Sequence, residues 1–337
     1  MTPFDGRGPE HILLIRTDRV GDLVLSTPAI TSFRRSWPKA RITAVITGYT
    51  EPILRHNPDV DEIVLLPRAQ PTRAIARVAR LGKRCGLAVG LAPRTDDIFL
   101  TGISGASSRI GYVYRRRYLS RVLARLCLTD FCLSEADPEL ADRILDKPVM
   151  HEVRQVLSLV SLAGGEHLTE DLTLRLGDDD LLWAEQNAPA GGTVVALAPR
   201  WFMPNFGADA VRRLIAHLAQ RMAHVVVTFG PDTREMAENI SRTMPHANVT
   251  WFGDLALLRW AAVLKQSAVI VTVDTGATHV AAALRRPVVV VFEREYFRLC
   301  SQEWGPWRVP SAVFVKPPRG ADPNPLISDI ADAVQAL

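Results

Sequence analysis

Two β-branched runs joined by an alanine-rich segment set the strongest constraint on this chain. Residues 269–273 read VIVTV, Asp274-Thr275-Gly276 interrupt the run, Ala277 to Leu284 is rich in alanine, and VVVVF follows Pro287. Short β-branched run, turn, helix and second run is the pattern of a parallel βαβ unit. Asp274 or Thr275 is placed to cap the helix that Gly276 opens. Gly276 has no Cβ, so a ligand can approach the backbone closely there. The unpaired N–H groups and positive dipole end of such a helix suit a phosphate, although a merely capped helix has the same sequence.

The same alternation runs through the chain. Strands are expected at His11–Arg16, Arg41–Ile46, Glu62–Leu66 and Leu87–Leu91, with a short strand and turn at Arg109–Tyr112. Helices are expected at Leu23–Trp37, closed by Pro38, and at 51–55, 72–84, 115–126 and 151–162. Residues 169–192 are polar and broken by Asp178-Asp179-Asp180, Pro189 and Gly191-Gly192, as a linker would be. Alternation then restarts, with strands at 194–198, 224–229 and 249–251, helices at 208–220, 233–243 and 255–266, and a last helix at 327–337. The expectation is an α/β chain of two doubly wound halves, 1–168 and 193–337, joined by 169–192. Ligands of such sheets sit beyond the carboxyl ends of strands, which singles out the turns at Asp22, Arg200, Asp232 and Asp274 and the cleft between the halves. The first strand is followed by neither GxGxxG nor GxxxxGK[ST], which excludes the usual dinucleotide and P-loop fingerprints.

Of the 337 residues, 47% are hydrophobic and 23% charged, the balance of a globular protein. No apolar run approaches the roughly 20 residues of a membrane helix, and MTPFDGRGPE lacks the features of a signal peptide, so a cytoplasmic location is expected. Cys85, Cys127, Cys132 and Cys300 form no CxxC pair and read as free thiols rather than metal ligands or disulfides. Residues 1–168 carry 24 Lys and Arg against 18 Asp and Glu, whereas the remainder carry 16 against 18. The first half thus suits an anionic partner, or has a basic surface without a role. Within it, 115–126 (RRRYLSRVLARL) reads as a basic amphipathic helix, with Arg117, Arg121 and Arg125 on one face and Leu119, Val122, Leu123 and Leu126 on another. Such a helix fits anionic lipid headgroups, substrate phosphates or plain solvation.

RTDRVGDLVLSTPAI near the start and DTGATHVAAALRRPVVVVF near the end resemble the motifs of glycosyltransferase family 9, the ADP-heptose:lipopolysaccharide heptosyltransferases. Gly21-Asp22 and Thr27-Pro28-Ala29 carry the first motif; Asp274, Thr275, Gly276, His279 and Pro287 carry the second, and Trp304-Gly305-Pro306-Trp307 is similar to a late segment of the family. The resemblance implies a GT-B architecture of two facing Rossmann-like domains, an acceptor-binding first half and a donor-binding second half. It implies inverting transfer from a nucleotide diphosphate sugar, ADP-heptose, to a glycan or lipopolysaccharide-core acceptor, with no metal and no cofactor beyond the donor. Asp22 matches the proposed base, which takes the acceptor hydroxyl's proton. The helix dipole would weaken that base and burial would strengthen it; a plain N-cap is the other reading.

The backbone N–H groups of Thr275, Gly276 and Ala277, with Thr278 and His279, match the diphosphate site, where fixed donors stabilise the leaving group. His279 also reads as a core histidine. Asp274 is expected to hold the loop or touch a sugar hydroxyl, and Asp232, with Glu235 second, to meet the ribose unless it only caps a helix. Where the family often has a basic residue before an aromatic and Pro, this chain has Arg200-Trp201-Phe202-Met203-Pro204-Asn205-Phe206. Phe206 takes the aromatic place, which leaves Pro204 and Asn205 where basic residues are expected, and Arg200, a few residues upstream, is the expected substitute for the missing charge. Gly21, Arg115, Arg116, Arg117 and Arg121 are the acceptor-side candidates. The partners implied are a nucleotide-sugar donor, a glycan or glycolipid acceptor and peripheral contact with an anionic membrane surface, and no nucleic acid. Rival readings are a protein or small-molecule glycosyltransferase with another donor sugar, a nucleotide-sugar epimerase, and a non-catalytic sugar-nucleotide binder.

Overall fold

The computed structural model describes residues 8–67, 71–137, 139, 148–203, 205–244 and 246–337. The chain divides into two compact units, Met1–Arg175 and Leu176–Leu337. The stretch 169–192, expected as linker, instead straddles that division and carries a helix, α8 (Asp178–Asn187), which packs on a later helix of the second unit. Asp178, Asp179 and Asp180 form its first turn, where negative charge complements the helix dipole.

In the first unit the described elements run β1 (His11–Ile15), α1 (Val20–Leu25), α2 (Thr27–Ser36), β2 (Arg41–Thr47), α3 (Glu51–Leu54), β3 (Glu62–Leu66) and α4 (Pro71–Gly82). They continue as β4 (Leu87–Gly90), α5 (Thr95–Ile103), β5 (Ser108–Tyr114), α6 (Tyr118–Cys127), β6 (Asp130–Ser134) and α7 (Glu152–Leu162). The sheet order is β3-β2-β1-β4-β5-β6, with every pairing parallel. The second unit has β7 (Thr193–Ala196), α9 (Gly207–Arg221), β8 (Val225–Phe229), α10 (Arg234–Arg242), β9 (Val249–Gly253) and α11 (Leu257–Lys265). It closes with β10 (Val269–Val273), α12 (Gly276–Ala283), β11 (Val288–Phe292), α13 (Phe297–Glu303), β12 (Ser311–Val315) and α14 (Asn324–Ala336). Its order, β12-β11-β10-β7-β8-β9, is the same Rossmann order, again parallel throughout. In both sheets the chain reverses its direction of winding between the first and fourth strands, and crevices open at such points.

The central strands form because their side chains have no solvent face. VIVTV and VVVVF are buried throughout β10 and β11, as are ILLI in β1. The helix expected at Leu23–Trp37 is two helices broken at Ser26. Pro28 stands in the first turn of α2, lacks an N–H, and in a continuous helix its ring would crowd the Val24 carbonyl. That carbonyl instead accepts the Thr27 hydroxyl at 2.7 Å, and the Ser26 hydroxyl donates to Asp22 O at 3.0 Å. The basic helix expected from Arg115 starts at Tyr118. Arg115 still belongs to the strand ladder, its N–H donating to Ser134 O at 2.7 Å. All four cysteines are free.

Helix α6 packs against α5 and β5. A Cβ on Gly102 of α5 would meet Cys127 Cβ at 2.6 Å and Sγ at 2.9 Å, so the two helices approach across a residue with no side chain. Gly102→Ala is expected to cost about 1–3 kcal/mol by overpacking. A denaturant midpoint equal to the parent's would show that α5 and α6 are not in this contact.

Candidate active site

In the first unit the crevice beyond β1 and β4 is organised by one cation. Arg16 extends β1, its N–H bonded to Val45 O at 3.0 Å, and its side chain is 2% exposed. Buried on a sheet with apolar faces, the guanidinium must find all its partners at the sheet's edge. Nε donates to Asp18 Oδ1 at 3.0 Å and Nη2 to Asp18 Oδ2 at 3.1 Å. Nη2 also donates to Glu152 Oε1 at 2.8 Å, and Nη1 to Ser26 Oγ and Leu91 O, each at 2.7 Å. Glu152 opens α7, is 2% exposed, and accepts the Tyr112 hydroxyl at 2.7 Å. Asp97, in the first turn of α5, is wholly buried and accepts both the N–H of Thr17, at 3.2 Å, and its hydroxyl.

Asp22 sits in the first turn of α1, one residue after Gly21, with its side chain 20% exposed. Its carboxylate lies 3.7 Å from Arg16 Nη2, which is an ion-pair distance and not a hydrogen bond. Burial pushes its pKa up to about 8; the Asp18 charge adds to that, while Arg16 opposes it. The dipole was expected to weaken this base, but desolvation beside an already occupied cation prevails. Burial and then Asp18 likewise carry Asp97 to about 7. Burial, then the Glu152 charge, hold Tyr112 well above its ordinary value, so it is a proton donor to Glu152.

In the second unit the corresponding crevice lies beyond β7 and β10. Arg200 stands in a single 3₁₀ turn, Pro199–Phe202, after β7, and pairs with Asp274 at the end of β10. This pair ties the turn after β7 to the end of β10. Thr275 is the N-cap position of α12, but its hydroxyl donates back to Val273 O at 3.2 Å and caps nothing. The first-turn N–H groups of Gly276 and Ala277 thus keep no side-chain acceptor from that residue. Thr278 is buried and its hydroxyl reaches Val273 O at 3.4 Å; His279 is 5% exposed on the same short helix. The Trp201 ring is wholly buried, with Nε1 donating to Ala196 O at 3.0 Å, and fixes the turn that presents Arg200.

Some of these groups escaped the sequence reading. Lys316, after β12, is wholly buried; its ammonium donates to the Arg200 carbonyl and to Glu293 Oε1, the latter at 2.5 Å. Burial lowers its pKa and Glu293 counters that. Asn205 Nδ2 donates to the other Glu293 oxygen at 3.1 Å, so the position expected to be basic is tied to an acid instead. Pro204 lies outside the described residues. Arg16, Asp18, Asp97 and Glu152 were likewise unassigned; the change from apolar to charged at Ile15-Arg16 was the available signal for the first.

The remaining candidates lie on the same carboxyl edges but farther out. Asp232 is exposed on a 3₁₀ turn after β8, and Glu235 is exposed in the first turn of α10. Arg115 and Arg117 follow β5 and are ion-paired, Arg115 with Glu135 at 2.6 Å and Arg117 with Asp137 at 2.7 Å and Glu139 at 3.1 Å. Arg121 donates to the Arg115 carbonyl at 3.3 Å, and Arg116 is exposed. Much of the basic rim is therefore neutralised locally. Among the described residues no group of three or more His, Cys, Asp or Glu is placed to hold a metal ion.

The profile of glycosyltransferase family 9 (heptosyltransferase) matches residues 147–324, more than half of the chain. The chain belongs to glycosyltransferase family 9. It is 23% identical over 287 residues to lipopolysaccharide heptosyltransferase 3 of Escherichia coli K12, covering 81% of this chain and 79% of that one. It is 25% identical over 304 residues to lipopolysaccharide heptosyltransferase 2 of Salmonella typhimurium, covering 83% and 82%. In fold it is similar to E. coli ADP-heptose lps heptosyltransferase II, with a TM-score of 0.72, 18% identity and coverage of 97% and 99%. The two Rossmann-like units of this family 9 glycosyltransferase are those of the GT-B class.

Two expectations follow for this glycosyltransferase. Arg16→Met leaves Asp18 and Glu152 as buried charges without their cation and is expected to destabilise the fold by about 3–5 kcal/mol. A urea-unfolding curve at neutral pH measures it, and a loss under about 1 kcal/mol would contradict the network. The second concerns pH. Asp22 holds its proton more tightly when folded, at about 8, than the unfolded chain does, near 3.9. Its contribution to stability is therefore full at low pH, declines as pH rises through that interval, and is gone above about 8. Asp22→Asn cannot ionise, so its thermal midpoint should match the parent near pH 4 and exceed it increasingly up to pH 8.5. A gap that stays constant with pH would refute the raised pKa.

Proposed function

We propose that this family 9 glycosyltransferase moves a heptose or related sugar from a nucleotide diphosphate sugar, ADP-heptose in the first instance, to a glycan or lipopolysaccharide-core acceptor in the cytoplasm, with inversion and without a metal or further cofactor. The observation that carries the reading is Asp22: a partly exposed carboxylate at the crevice of the first unit, raised to about 8 among buried charges. A base needs a pKa near the working pH. The names of the two curated relatives support heptose and lipopolysaccharide, and that of the structural neighbour supports an ADP-linked donor.

In this reading Asp22 accepts the proton of an acceptor hydroxyl as its oxygen bonds to the anomeric carbon. The bond from that carbon to the diphosphate oxygen breaks on the opposite face, which inverts the configuration, and the nucleoside diphosphate leaves. The first-turn N–H groups of α12, Thr278, His279 and the Arg200 guanidinium receive the developing negative charge. Arg200 serves this role by exchanging part of its pairing with Asp274 for phosphate. Asp232 is assigned the ribose hydroxyls. Gly21, Arg115, Arg116, Arg117 and Arg121 are assigned the acceptor side. The neutral Asn205, tied to Glu293, favours a second reading in which the donor sugar differs and the acceptor is a protein or small molecule.

Asp22→Asn is expected to lower transfer by about 10²–10⁴-fold, while ADP-heptose still raises the thermal midpoint. In the parent, kcat/KM should climb with pH, reach half its plateau near 8 and level off above that, since only the unprotonated carboxylate accepts a proton. Mass spectrometry of the product with each acceptor class decides between the two readings. Normal turnover by the Asn variant would falsify the assignment of the base.

A further inference from the structure

Helix α6 buries one face against α5 and β5 and leaves the other bare. Ala124 is fully buried on the inner face. Leu119 is 81% exposed, Leu126 78% and Tyr118 69%, the three highest values among the exposed large hydrophobic side chains of the described residues, and Val122 is 36% exposed. Residues 118, 122 and 126 recur every four positions, and 119, 122 and 126 every three or four, so they form one stripe along the whole helix. Single exposed apolar residues are ordinary, but a continuous stripe marks a contact surface.

We propose that α6 docks on an anionic lipid bilayer, lying in the headgroup plane with Leu119, Val122 and Leu126 in the acyl boundary. The charges beside the stripe point to this occupant. Arg121 and Arg125 run along one border at a four-residue spacing, and Arg115 and Arg116 flank the start of the helix. Arg115 is paired with Glu135, and Arg117 with Asp137 and Glu139, which leaves Arg121 and Arg125 beside the stripe against Asp130 on β6. Long arginine side chains bordering an apolar stripe can reach phosphates while the stripe sinks below them. Tyr118 is suited to the interface, with an apolar ring and a polar tip. Among the described residues no helix is long and apolar enough to cross a membrane, so an attachment through this helix is interfacial. A glycolipid acceptor would give the surface a use, but the proposal does not rest on that reading.

The test is flotation of the full chain with vesicles of three parts phosphatidylethanolamine to one part phosphatidylglycerol. The parent is expected to float with these vesicles and far less with phosphatidylcholine alone, and added salt should weaken the association. Leu119→Ser with Leu126→Ser should reduce binding about tenfold or more, with the circular dichroism spectrum and the donor-induced thermal shift unchanged. Arg125→Glu should weaken binding and flatten its salt dependence. Should the double variant fail to fold, Leu119→Trp gives a second readout, a blue shift of its emission on adding the anionic vesicles. The proposal is overturned if the parent stays with the vesicle-free fraction, if the serine variant binds as the parent does, or if the tryptophan emission does not move. It is equally overturned if the parent is a dimer that the serine variant dissociates, since a second copy would then be what covers the stripe. Loss of transfer activity leaves all these readouts intact.

Discussion

A single guanidinium, that of Arg16, is what the first crevice depends on. It is placed by β1, takes the β4 exit through Leu91 O, the α1–α2 break through Ser26, and α7 through Glu152. Four elements distant in sequence are thereby held at one point. A buried cation is costly to desolvate, and only a full set of partners makes it tolerable. Here the set is complete, which is why Asp18 and Glu152 carry Arg16 well above its ordinary pKa despite burial. The helix break at Ser26 belongs to the same arrangement: its hydroxyl accepts from Arg16 while donating to Asp22 O in the turn before.

The two units repeat one topology and use it differently. Each opens a crevice between its first and fourth strands, and each puts an arginine there. Arg16 is saturated and 2% exposed, so it shapes the crevice and is not available to a ligand. The Arg200 side chain is 39% exposed, is presented by a short turn anchored through Trp201 and Lys316, and pairs with the Asp274 carboxylate. The Asp274 side chain is 11% exposed, so the pair is anchored on that side while the guanidinium keeps a face open to solvent. The first arrangement suits positioning, and the second suits capture of an anion.

The fold was legible where burial is two-sided. VIVTV, VVVVF and ILLI announce central parallel strands, because nothing else buries such runs so short. Two of the four edge strands escaped: β6 (DFCLS) and β12 (SAVFV) are half-buried and mixed, so their period is weak. Helices α5 and α13 also escaped, as did α8, whose three aspartates look like a loop until they are seen as a first turn. In the site, Asp22, Arg200 and the loop from Asp274 to His279 were legible from local pattern and from resemblance. The groups that set their chemistry were not. Glu152 meets Arg16 across 136 residues and Lys316 meets the Arg200 carbonyl across 116, and no local spacing records such a pairing.

That hidden layer decides what Asp22 is. A carboxylate in the first turn of a helix, with an arginine 3.7 Å away, would by itself be held ionised and be a poor base. Asp18 and Glu152 alter this by reaching the guanidinium first, at hydrogen-bond distance, so that Asp22 faces one cation shared by two carboxylates, a net negative charge. The Coulomb balance at Asp22 then runs against ionisation, in the same direction as its desolvation. Base strength here is thus set first by burial and then by the neighbours on β1's exit and on α7. A chain that kept Gly21-Asp22 and lost Asp18 would keep the motif while its aspartate returned toward the ordinary, weaker carboxylate.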